Sequence, residues 1–165
     1  MISIPENYSD ESKIWIYTSN RILNDNELSY LDHNLGSFIE NWVSHSQQLK
    51  AFGSIYKSQI ILLVVDESLA MASGCSIDSS VTFIKQIGQE LEIDFFNRWN
   101  FLYLDKDQNI QLISKDELNN ALQEGTISFD TPFIDPLVKT LKEFKNGFIK
   151  PLGGSWHKNF LNVSN

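Results

Sequence analysis

Gln59-Ile60-Ile61-Leu62-Leu63-Val64-Val65-Asp66 is the stretch on which the fold turns. Its six consecutive aliphatic residues are far fewer than the ~20 that span a bilayer, and they suit a single strand. There is no polar alternation, so both faces need cover, and such a strand belongs in the middle of a sheet. The preceding run, Leu49 to Tyr56, reads as its partner, with Lys57-Ser58 as the turn of a hairpin.

Upstream, Lys13-Ile-Trp-Ile-Tyr-Thr18 is rich in aromatic and β-branched residues and reads as a first strand. Asn24 or Asp25 then caps a long helix. Its apolar stripe is Leu28, Leu31, Leu35, Phe38, Ile39 and Trp42, at three- and four-residue steps. Downstream, residues 66–78 read as a loop, followed by a helix from about Ser79 to Leu91. Phe101 to Leu104 and Ile110 to Ile113 pair across Asp105-Lys-Asp-Gln-Asn109. Ser114-Lys-Asp-Glu117 is a capping box opening a short helix that stops at Gly125. Asp135-Pro136 suggests an N-cap and first helical position, with Leu137, Leu141 and Phe144 inward and a stop at Gly147. The tail from Lys150 reads as irregular. The first six elements run β-α-β-β-α-β. The expectation is an α+β fold with a ferredoxin-like βαββαβ core sandwich, extended by an added hairpin strand and C-terminal helices. A length of 165 residues suits one domain, residues 1–165.

Composition narrows the function classes. The net charge is −8, and the thirteen basic residues are scattered singly. Nucleic-acid binding and anionic membranes both need clustered cations, so neither is expected as a partner. The one cysteine, Cys75, allows no internal disulfide and no cysteine-based zinc cage. That usage, with an N-terminus lacking a basic and apolar leader, points to a soluble cytoplasmic protein. None of the eight glycines precedes a lysine, so there is no P-loop, and the three-glycine dinucleotide fingerprint is also missing. No cofactor is expected.

Several residues could carry chemistry. Ser73-Gly74-Cys75-Ser76-Ile77-Asp78 lies between the central strand and a helix, where free amides favour a thiolate at Cys75; Ser76 or Asp78 could cap that helix. A nucleophilic Cys75 would need a base. His45, which continues the spacing of Phe38 and Trp42, and His157, in Ser155-Trp156-His157-Lys158, are the two choices; the alternative is a Cys75 that simply packs and a His45 bonded to a backbone carbonyl at its helix end. His33 lies off the apolar stripe and reads as a surface residue. Asp66, Glu67 and Asp78 form an acidic set at the end of the central strand. They could bind a ligand or, with His45, a metal, but capping of the following turn accounts for them more simply, and no metal site is expected. Asp105-Lys-Asp-Gln-Asn109 resembles the start of a calcium loop. The sixth position is Ile110 rather than Gly and the twelfth is Asp116, so a polar hairpin turn is the better reading. Trp42, Trp99 and Trp156 are core material or a binding groove, with Trp156 the least accounted for.

Asp66-Glu67-Ser68, the Ser73–Asp78 segment, Ser155-Trp156-His157-Lys158, Trp15-Ile16-Tyr17 and Trp42 with His45 together resemble a family of small bacterial proteins often labelled "ABC transporter ATPase". The resemblance implies a cytosolic bacterial protein and, without a P-loop, carries over no activity. Two expectations follow for the chain. The first is a non-enzymatic binding or interaction domain, taking a small molecule or a protein, and able to dimerise through an open sheet edge. The second is a small enzyme with Cys75 as nucleophile and His45 or His157 as base.

Overall fold

The computed structural model describes residues 2 and 4–162; Met1 and Ser3, part of the start read above for a leader, lie outside them. It is a mixed α+β structure, and the chain divides into two compact units: Met1–Phe96 with Leu137–Asn146, and Asn97–Pro136 with Gly147–Asn165. No described helix is long and apolar enough to cross a membrane.

The first unit is built on an antiparallel sheet of β1 (Lys13–Thr18), β4 (Lys50–Tyr56) and β5 (Ile60–Asp66) in the order β1-β5-β4. β5 is central, and all seven of its residues are buried. Helices α1 (Asp25–Asn41) and α2 (Gly74–Leu91) supply Leu31, Leu35, Ile84 and Ile87 to a core that includes Ile61, Leu63 and Val65. Ile60, Leu62 and Val64, on the opposite face of the strand, are equally inaccessible. Between α1 and β4 lies a two-rung hairpin, β2 (Val43–Ser44) and β3 (Gln47–Gln48).

The second unit has its own sheet, β6 (Asn100–Leu104), β7 (Ile110–Ser114), β8 (Pro132–Ile134) and β9 (Ile149–Pro151), in the order β7-β6-β8-β9. The Ser114/Glu117 capping box forms as the sequence suggests. It opens a 3-10 turn (Lys115–Glu117) that runs into α3 (Leu118–Glu124) and ends on left-handed Gly125. Phe101, Leu118, Phe133 and Leu152 centre this unit's core.

The expected ferredoxin-like βαββαβ sheet forms only through its first three strands. Their antiparallel order β1-β5-β4 is that of a split β-α-β, but β6 pairs with β7 and β8 in the second sheet. A hairpin partner immediately downstream, joined by a short turn, meets β6's hydrogen bonds locally.

Two helix boundaries also differ from expectation. α2 begins at Gly74 rather than Ser79, because Ser73 and Ser76 form the capping box. After Pro136 the chain stays extended enough for Thr140 to bridge Lys13, and α4 (Leu141–Gly147) starts only then. Leu137 is accordingly 59% exposed while Leu141 is fully buried.

α1 approaches the sheet at Gly53. A Cβ there would lie 3.0 Å from Leu35 Cγ and 3.2 Å from Ile39 Cγ1, tighter than ordinary packing. Gly53→Val is therefore expected to cost about 1–3 kcal/mol through overpacking. Urea unfolding should show a lower midpoint with the same slope; an unchanged midpoint would mean that α1 lifts off the strand without cost.

Candidate functional site

A cleft of about 390 Å³ opens in the first unit between the end of α1 and the start of α2. Its aromatic lining comes from Phe38 and Trp42. Trp42 terminates α1, and its indole Nε1 donates to the Ser76 carbonyl at 2.8 Å, tying the two helices together. Phe38 is 5.1 Å from Trp42 and stacks on Phe83 at 4.5 Å, centroid to centroid. These rings hold one another, so the apolar side of the cleft is pre-formed.

The polar lining includes His45, Ser73, Cys75 and Ser79. His45 does not continue the stripe of α1, because the helix ends at Asn41 and the chain turns back at once. His45 and Ser46 form the tip of the β2–β3 hairpin with φ of 49° and 67°. The imidazole is therefore exposed on a tight turn rather than set in the core. Cys75 is an exposed free thiol in the first turn of α2. The capping box occupies the amides of Ser73 and Ser76, leaving those of Gly74 and Cys75 without a hydrogen-bond partner among the described residues. Such first-turn amides carry partial positive charge.

Of the two histidines considered for Cys75, only His45 lines its cleft. His157 belongs to the second unit, where it is 1% exposed. Its ring stacks on Trp156 at 3.9 Å and meets Phe101 at 4.8 Å and Phe133 at 5.1 Å. Nδ1 is hydrogen-bonded to Ser155 Oγ at 2.5 Å. Burial pushes its pKa down to about 4, against a smaller opposing effect of Asp135. Trp156 is half-buried and donates from Nε1 to Asp135 Oδ1 at 2.9 Å. Together these make a packed aromatic cluster with its polar atoms engaged.

The acidic residues are dispersed. Asp66 is 4% exposed and receives Lys50 Nζ at 2.7 Å and the Ser68 amide at 3.0 Å. Those contacts, the lysine first, hold its carboxyl down at about 2 despite burial. Glu67 accepts from the Ala72 amide. Asp78 is exposed on α2 and caps nothing, since Ser73 is the cap. Among the described residues no group of three His, Cys, Asp or Glu side chains could hold a metal ion. In the loop likened to a calcium site, Asp105 already accepts from the amides of Asp107 and Asn109 and from Gln111 Nε2.

No protein-family model matches the chain, and no curated protein or solved structure is significantly similar to it. Two features of the site were missed in the sequence. Ser73 and Ser76 carried a signal, three residues apart ahead of an apolar run, although Ser is a less usual partner at the third position. The hairpin turn at His45-Ser46 carried none, since it lacks the Gly or Asn that such turns favour.

The buried imidazole has a consequence for stability. In the folded chain His157 stays neutral down to about pH 4, whereas an unfolded imidazole protonates near 6.5. Its neutral burial is fully compatible with folding above pH 6.5, and stability is lost as pH falls from there toward 4, by on the order of 3 kcal/mol. Urea unfolding at pH 4.5 and 7 should show a smaller difference for His157→Gln than for the parent. The same difference in both would remove His157 as the source.

Proposed function

We propose that the chain is a cytoplasmic, non-enzymatic binding domain whose ligand is a small molecule seated in the cleft between α1 and α2. The observation that carries this reading is the lining itself: Phe38 and Trp42 on the apolar side, with His45, Ser73, Cys75 and Ser79 converging on the same 390 Å³. A mostly apolar concavity of that size with a few placed polar groups is the usual form of a small-molecule site. The chemistry suits a ligand with a flat or aliphatic body for the rings. Its head group would accept hydrogen bonds from the uncommitted amides of Gly74 and Cys75. An exposed thiol left unpaired is in keeping with a reducing compartment.

A second reading keeps the site and changes its use. Cys75 would be a nucleophile and His45 its base, as in thiol-dependent acyl transfer. It is favoured by the sharing of one cleft by thiol and imidazole, and it excludes His157 from the role.

One set of measurements separates the readings. Small aryl and alkyl carboxylates should raise the melting temperature and slow alkylation of Cys75 by iodoacetamide. Ser79→Trp, which fills the cleft from an exposed helix position, should abolish both effects while leaving the fold intact. Binding that survives Ser79→Trp, or a carboxylate series with no effect on either signal, would sink the proposal. A roughly tenfold fall in the alkylation rate of His45→Gln would select the nucleophilic reading, since general-base assistance is commonly at least that large.

A further inference from the structure

The two arms that line the cleft leave the sheet from one rung. In the β4–β5 ladder Lys50 is paired with Asp66, the last pair at that end. Upstream of Lys50 the chain runs through Leu49, whose amide donates to the Trp42 carbonyl at 3.0 Å, into the hairpin that carries His45. Downstream of Asp66 it runs through residues 67–72 to Ser73 and Cys75. The rung is closed by an ion pair, Lys50 Nζ to Asp66 Oδ2 at 2.7 Å, with the two side chains only 25% and 6% exposed.

The same two side chains reach four further groups. Asp66 Oδ1 accepts the Ser68 amide at 3.0 Å, fixing the start of the Cys75 arm. Lys50 Nζ donates to the Asn7 carbonyl at 2.6 Å and lies 5.0 Å from the Tyr8 ring centroid. The Ser9 amide reaches Asp66 Oδ2 at 3.5 Å. Residues 7–9 thus cover the pair. The outer side of the Cys75 arm has little packing of its own, since Leu69 and Met71 are 72% and 71% exposed. Its inner side is set by Ala70, buried in the core, with Ala72 packed beside it, and the rest by polar anchors: Asp66 to Ser68, Glu67 to the Ala72 amide at 3.0 Å, and the Ser73–Ser76 box.

We infer that the Lys50–Asp66 pair, covered by residues 7–9, is a positioning clamp that holds the His45 and Cys75 arms at the separation the cleft requires. The inference rests on the cleft being the ligand site and assigns it a control point outside its lining. Neither residue lines the cleft, so the clamp acts through the backbone of both arms.

The test uses the full chain with Lys50→Met, which keeps the apolar stem, and Asp66→Asn, which keeps an acceptor for Ser68. Lys50→Arg serves as the conservative control. Amide hydrogen exchange should rise at least tenfold across residues 44–49 and 67–77 in Lys50→Met and in Asp66→Asn, with β5 at Leu62 and Leu63 unchanged. The Cys75 alkylation rate, unambiguous because it is the only cysteine, should rise at least threefold. Lys50→Arg should restore both. The double variant should match either single one, because the two side chains form one device. Exchange that rises equally in β5, or arms and thiol that stay within twofold of the parent, would reduce the pair to an ordinary stabilising contact and overturn the clamp. Ligand protection of Cys75 in the parent is scored separately. Its absence would remove the ligand reading while the exchange data still decide the clamp.

Discussion

The first unit depends on the burial of β5. Seven consecutive residues with no accessible face can be held only by a strand on either side and cover above and below. β1 and β4 provide the edges, and α1 and α2 fill one face through Leu31, Leu35, Ile84 and Ile87. Each fully buried aliphatic side chain contributes roughly 1.5–3 kcal/mol, so the six aliphatic residues of this strand supply a large share of what holds the first unit together. The cleft inherits its rigidity from it, because both arms are anchored in β4 and β5 at their last shared rung.

How much of this was legible depended on the kind of signal. Apolar periodicity located α1, β-branched and aromatic composition located β1, and an unbroken apolar run located the β4–β5 hairpin and the centrality of β5, because burial of one or both faces leaves a direct trace in residue order. Local capping chemistry located the α3 entry at Ser114 and Glu117. What escaped was decided by competition between elements. Nothing in Asn100–Leu104 says whether it joins the first sheet or pairs with the next strand. Pro136 advertised a helix start, but the backbone after it is used by β1 through Thr140 instead. β8 and β9, three residues each, are too short for any periodicity to register.

The site was legible in its members and not in its geometry. Cys75 at a helix start was readable, although the helix begins five residues earlier than its apolar face suggests. His45 was in view for the wrong reason, as a continuation of a stripe that ends at Trp42. His157 and Trp156 looked like the freer residues because their segment seemed unanchored. They are instead held by Phe101, Phe133, Ser155 and Asp135. Asp66 looked like a ligand and is bound to Lys50, so its carboxylate is spent on architecture.

The tip of the β2–β3 hairpin stores backbone strain beside the cleft. Both residues there, His45 and Ser46, hold left-handed backbone angles although neither is glycine. For an L-residue that conformation is unfavourable by roughly 1–2 kcal/mol, and Gly or Asn would relieve it. Replacing position 45 by Gly or Asn would relieve that strain and remove the ring in one step. The same conformation recurs at Lys57 and Ser58 in the turn between β4 and β5, so the strain at His45 belongs to the two-residue hairpin turns of this chain, and its effect is to fix where the ring stands beside the cleft.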